Sequence, residues 1–232
     1  MSPLKPRQAL QRQIQELQDE ILILGSMVEQ AVIDAVESLR HRDLDAARQI
    51  YHDDILVNQK RYEIENQCIT TIATQQPMAR DLRILAAILE INTELERMGD
   101  YAKGIARINL LMGDEPLLKP PTDIAIMAEL AASMLHRALT AFVNNDVQLA
   151  EQIPAEDGRV DELYNQVFRN LVTIMIVDPG AINRANYLLW AAHNLERMAD
   201  RVTNICERTI YVATGNLLEL DISDDEYLNV NV

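Results

Sequence analysis

The sequence predicts an all-α fold of two tandem, pseudo-symmetric three-helix bundles, and three observations carry that expectation. The composition is helical: 7 glycines and 4% aromatic residues in a chain of 232, with the helix formers Ala, Leu, Ile, Glu, Gln and Arg prominent. Apolar residues recur at spacings of three and four over long stretches, the period of a buried helix face. A segment near position 95 also returns near 195, as Leu95-Glu-Arg-Met-Gly-Asp100 and Leu195-Glu-Arg-Met-Ala-Asp200.

The first helix is predicted from Pro6 to about His41. Its seam is Leu10, Ile14, Leu17, Ile21, Leu24, Val28, Ala31 and Ala35, a heptad pattern suited to bundle packing. At 1.5 Å per residue it is roughly 50 Å long. Asp43 is placed to cap a second helix reaching about Ala73. A third opens at Gln76-Pro77, with proline in the first turn where its missing N–H is harmless. Its stripe is Ile84, Ile88, Ile91, Leu95, Met98, Ala102 and Ile105, and Gly113 ends it. The first bundle is thus residues 1–113. Residues 114–122, rich in proline, read as a linker.

The second bundle, 123–215, repeats the plan. Ile124, Met127, Ala131, Met134, Ala138 and Ala141 form the stripe of its first helix. The next helix covers Val147 to Val177, and Pro154 kinks or splits it. Asp178-Pro179-Gly180 is a turn, and the last helix runs to Gly215, a suitable C′ glycine. Six apolar positions, Ile88, Ile91, Leu95, Met98, Ala102 and Ile105, recur one hundred residues later as Leu188, Ala191, Leu195, Met198, Val202 and Ile205. Asp54-Ile-Leu-Val-Asn58 echoes Asp157-Gly-Arg-Val-Asp161 less sharply. Such self-similarity marks a duplicated helical unit. Residues 216–232 read as an acidic, mobile tail.

The formal net charge of −15 disfavours nucleic acid and anionic lipid, both of which select for Lys and Arg. It suits basic partners or bound cations. No run of 18 apolar residues is present, so no membrane insertion is expected. Cys68 and Cys206 fall within helical stripes and read as buried thiols of a cytoplasmic protein. Met1 to Gln11 lacks the apolar core of a secretion signal.

Chemistry points to carboxylates. Glu96 with Asp100, and Glu196 with Asp200, are four residues apart and so share a helix face, beside the Leu95/Met98 and Leu195/Met198 stripes. Arg97 and Arg197 are expected to project about 100° away around the helix. Asp54 with Asn58, and Asp157 with Asp161, are similarly spaced and would face these pairs in a three-helix bundle. Crowded, partly buried carboxylates require a counter-charge, and oxygen-only ligands suit hard cations such as Mg, Ca, Mn or oxidised iron. With Asn58 replacing a carboxylate, the first site should be weaker or empty. Neither catalysis nor nucleotide binding is indicated. His41, His52, His136 and His193 form no Glu-x-x-His pair, and there is no Gly-rich phosphate loop or nucleophile elbow. A ferritin-like carboxylate-bridged metalloprotein and a metal-free helical scaffold remain the alternatives.

Four segments resemble the PhoU family of regulators of bacterial phosphate uptake. They are Gly25-Ser-Met-Val-Glu-Gln30, Gln76-Pro-Met-Ala-Arg-Asp-Leu-Arg83, Glu94-Leu-Glu-Arg-Met-Gly-Asp100 and Leu195-Glu-Arg-Met-Ala-Asp-Arg-Val-Thr-Asn-Ile-Cys-Glu207. The resemblance implies two three-helix bundles and a non-enzymatic negative regulator of the phosphate-starvation response. It further implies a homodimer that links the ATPase of the phosphate ABC transporter to a membrane sensor histidine kinase. It also implies iron or zinc held by Glu96, Asp100, Glu196 and Asp200, with Asp54, Asp157 and Asp161 facing them. Gly104 where the second repeat has Asn204, Asn58 and Pro154 depart from the family pattern.

Overall fold

The computed structural model describes residues 6–113, 115, 116, 118 and 122–220. Among the described residues seven α-helices are formed: α1 (Pro6–His41), α2 (Leu44–Gln75), α3 (Arg80–Met112), α4 (Thr122–Asn144), α5 (Val147–Gln152), α6 (Asp157–Val177) and α7 (Ile182–Thr214). Short 3-10 turns at Ile153–Glu156 and Pro179–Ala181 join α5 to α6 and α6 to α7. No strand occurs among the described residues. Helices α1, α2 and α3 pack on one another, as do α4, α5/α6 and α7, and the bundles meet through α3 on α7 and α1 on α4. α2 and α6 therefore lie on opposite outer flanks, each against the third helix of its own repeat.

Both repeats make the same turn after their first helix. Arg42 (φ 57°) and Asn145 (φ 53°) adopt positive φ. Asp43 N–H then donates to Ser38 O at 2.9 Å, and Asp146 N–H to Ala141 O at 2.8 Å, the reverse-turn closure of a helix C-terminus. Asp43 next caps α2 by accepting from Asp45 and Ala46 N–H, and Asp146 caps α5 by accepting from Leu149 N–H. Buried Asn109 secures the first turn, donating to Ser38 O (2.8 Å) and Asp43 O (3.2 Å) while accepting from the Arg42 guanidinium.

The apolar stripes of α3 and α4 are buried throughout. In α1 the seam shifts after Val28. Val32 is fully buried and Ala31 only partly, because a straight 3.6-residue helix drifts from a strict heptad over this length. α3 begins at Arg80, not at Gln76-Pro77. Gln76 closes α2 in the left-handed region, and Ala79 (φ 49°) precedes α3. Pro77 thus lies in the connection and not in a first helical turn. Pro154 does split the fifth helical segment. Among the described residues α4 is the helix long and apolar enough to cross a membrane. Its apolar face, from Ile124 through Phe142, is buried in the protein core. Residues 216–220 have no helix, and Leu220 N–H donates to Glu207 at 2.8 Å. Asp221, Asp224, Asp225 and Glu226 of the expected tail, and much of the expected linker, lie outside the described residues.

Candidate functional site

In the second repeat the expected carboxylates converge. Asp157 and Asp161 stand on the opening turns of α6, opposite Asp200 in mid-α7. One oxygen from each lies within 4.8 Å of the other two. The 3-10 turn containing Pro154 leads directly into α6 at Asp157. Arg137 of α4 grips both oxygens of Glu156, the residue just before Asp157, and holds the Glu156 carboxyl below its ordinary pKa through those hydrogen bonds.

Glu196 lies one turn before Asp200. Its pKa is pushed up to about 7, first by burial and then by the charges of Asp200 and Asp161, with Arg197 opposing. Its Oε2 is shut off from solvent and makes no hydrogen bond within the described residues, although His193 Nδ1 lies 3.1 Å away. Burial and Arg197 push the His193 pKa down, so the imidazole is largely neutral at pH 7 and supplies little counter-charge. Arg197 does not project clear of the site. Its long side chain reaches forward about one turn, and Nη1 lies 3.0 Å from Asp200 Oδ2.

In the first repeat Asp54, Glu96 and Asp100 are near enough to perturb one another electrostatically, with a different balance of charge. Burial, Asp100 and Asp54 raise the Glu96 pKa, against Arg61 and Arg97. Burial and Asp54 raise that of Asp100, against Lys103. Asp54 is buried and already paired. Lys103 Nζ is 2.7 Å from its Oδ2, and Asn58 Nδ2 donates to the same oxygen at 2.9 Å. The hydrogen bond to Asp54 in turn raises the Lys103 pKa. Lys103 escaped the sequence reading. Its signal was its position, three residues after Asp100, where the second repeat has Thr203.

A further cluster was also missed. Arg201 of α7 donates to Glu94 Oε2 (2.8 Å) and to Tyr101 Oη (2.7 Å) of α3, tying the repeats together. Both cysteines are buried, with pKa values pushed up to about 12 by burial, so both thiols are held protonated at neutral pH.

The PhoU domain family matches this chain twice, over residues 21–108 and 124–209. The chain belongs to the PhoU family. Both carboxylate sets fall inside the matched PhoU domains. The phosphate-specific transport system accessory protein PhoU homologue of Aquifex aeolicus is 34% identical over 208 residues, covering 90% of this chain and 94% of the relative. The corresponding homologue of Clostridium acetobutylicum is 35% identical over 216 residues, 93% of this chain and 99% of the relative. Among crystal structures, the phosphate transport system regulatory protein PhoU of Streptococcus pneumoniae superposes with a TM-score of 0.84. It has 31% identity and covers 91% of this chain and 100% of that one. PhoU of Pseudomonas aeruginosa superposes with a TM-score of 0.83 and 33% identity, covering 89% and 99%.

Proposed function

We propose that this protein regulates phosphate transport and negatively regulates the phosphate-starvation response, without catalytic activity. It acts in the cytoplasm as a homodimeric adaptor between the ATPase of a phosphate ABC transporter and a membrane sensor histidine kinase. The supporting observation is family membership along almost the whole chain, with relatives named as accessory proteins of phosphate-specific transport. A deletion strain should keep phosphate-starvation genes switched on in phosphate-rich medium. Normal repression in that strain would reject the role, and pull-downs with tagged protein should recover the transporter ATPase and the kinase.

The regulator also carries a metal ion in its second repeat, held by Asp157, Asp161, Asp200 and Glu196. The residues fit such an ion. Three carboxylate oxygens on two helices lie within 4.8 Å of one another, and a fourth carboxylate beside them has its pKa raised by burial and by theirs. All-oxygen ligation favours a hard divalent or trivalent cation, Mg, Ca, Mn or iron, and suits zinc less. Such an ion would neutralise the carboxylates and tie α6 to α7. Metal analysis of untagged protein purified without chelator tests this reading. The Asp54, Glu96 and Asp100 set fits an ion poorly, because Lys103 stands against Asp54.

A further inference from the structure

We propose that the first repeat is closed to metal by the chain's own cation, the Lys103 ammonium, so that one PhoU repeat is wired permanently and only the other is metal-dependent. The proposal deepens the metal reading above and rests on it for the contrast between repeats.

The geometry is specific. Lys103 projects from α3 across to α2, where its Nζ lies 2.7 Å from Asp54 Oδ2 and 5.4 Å from the centroid of the Tyr51 ring. Asp54, with its side chain 6% exposed, is the most enclosed carboxylate of the first set. Its Oδ2 accepts from Lys103 and from Asn58 together. A metal bound through that oxygen would have to displace an ammonium and an amide N–H at once. An ion pair with good geometry and supporting hydrogen bonds is the arrangement in which a buried carboxylate stays ionised without metal.

Comparison of the repeats gives a second, independent indication. Of four neighbouring positions, three differ in concert: Tyr51, Asp54, Asn58 and Lys103 in the first repeat stand where Pro154, Asp157, Asp161 and Thr203 stand in the second. The lysine, the aromatic ring beneath it and the amide beside it are all replaced, and only the central aspartate is kept. Thr203 is buried and uncharged, so the second repeat has no side chain able to reach across as Lys103 does from this position. The outer carboxylates Glu96 and Asp100 keep their places beside the Lys103–Asp54 pair.

The experiment uses the full chain with Mn²⁺ as probe, counted by electron paramagnetic resonance. In a background with the second site disabled (Asp157→Asn, Asp161→Asn), the parent should bind no Mn²⁺. Adding Lys103→Thr with Asn58→Asp should create one site per chain. Mn²⁺ uptake by that parent, or no gain on adding the pair, would overturn the proposal. Melting in EDTA gives a readout that needs no metal. Lys103→Met in the natural chain should lower Tm by roughly 5 °C, and Asp54→Asn on top should restore most of it. An unchanged Tm for Lys103→Met would also overturn the proposal. Failure of the natural chain to bind Mn²⁺ is a separate result, which removes the second-repeat site and leaves the Lys103 measurements to be read on their own.

Discussion

Replacing Arg201 by alanine should separate the two repeats energetically. Its guanidinium lies in the α3–α7 interface, donating to Glu94 at 2.8 Å and to Tyr101 Oη at 2.7 Å, and it lies 5.5 Å from the centroid of the Tyr101 ring. The Arg201 and Glu94 side chains are only 15% and 13% exposed, so truncation strands a carboxylate within the interface. Removing one partner of a buried pair costs about 3–5 kcal/mol. Here Arg97, 3.8 Å from the other Glu94 oxygen, offsets part of that, leaving about 3 kcal/mol. For a chain of this size that is a fall in Tm of roughly 6–12 °C. Thermal and urea unfolding of Arg201→Ala, Glu94→Ala and the double variant measure it. The double variant should lose about 1–2 kcal/mol less than the sum of the two single losses. A loss below about 1 kcal/mol for Arg201→Ala, or strict additivity, would show that the cluster does not hold the repeats together.

Three further outcomes follow from particular side chains. The Glu196 pKa is raised to about 7, so the folded state holds its proton more tightly than the unfolded chain does. In chelator its contribution to stability is full below about pH 4.5 and is lost as pH rises through about 7. Glu196→Gln should flatten this segment of a Tm-against-pH curve and be the more stable protein at pH 8 in EDTA; a parallel curve would contradict the assigned burial. Asn109→Leu should cost about 2–4 kcal/mol in urea unfolding, because Ser38 O, Asp43 O and the Arg42 guanidinium all lose a partner. Leu95→Ala and Leu195→Ala, at equivalent and fully buried positions, should each cost about 2–5 kcal/mol, and a near-neutral effect at either would show that its surroundings collapse around the loss.

The helices and their duplication were legible because burial writes a period into the sequence, and every stripe position of α3 and α7 used to align the repeats is buried. Two details were not legible for local reasons. The α2–α3 connection turns on positive φ at Gln76 and Ala79, neither a residue type that signals such a backbone, so in sequence Pro77 looks like a helix start. A strict heptad fails for the α1 seam past Val28, where the helix has drifted enough to bury Val32. Spacing along one helix placed Glu196 and Asp200 on a shared face, and duplication supplied Asp157 and Asp161. Long side chains were harder. An azimuth of 100° says little about Arg197, whose reach carries it forward to Asp200, and Lys103 acts across a helix pair that spacing along one helix does not describe. Glu94 and Arg201 both flank the repeated Leu-Glu-Arg-Met segments, yet their pairing depends on α3 and α7 packing together.

The central claim is that the second repeat is a metal centre and the first is not. Crystals of the untagged, full chain grown with Mn²⁺, with diffraction recorded at the manganese edge, test it most directly. One anomalous peak per chain is expected, between α6 and α7 and within ligand distance of Asp157, Asp161 and Asp200. No peak at that position, or a peak of equal height beside Asp54, would contradict it.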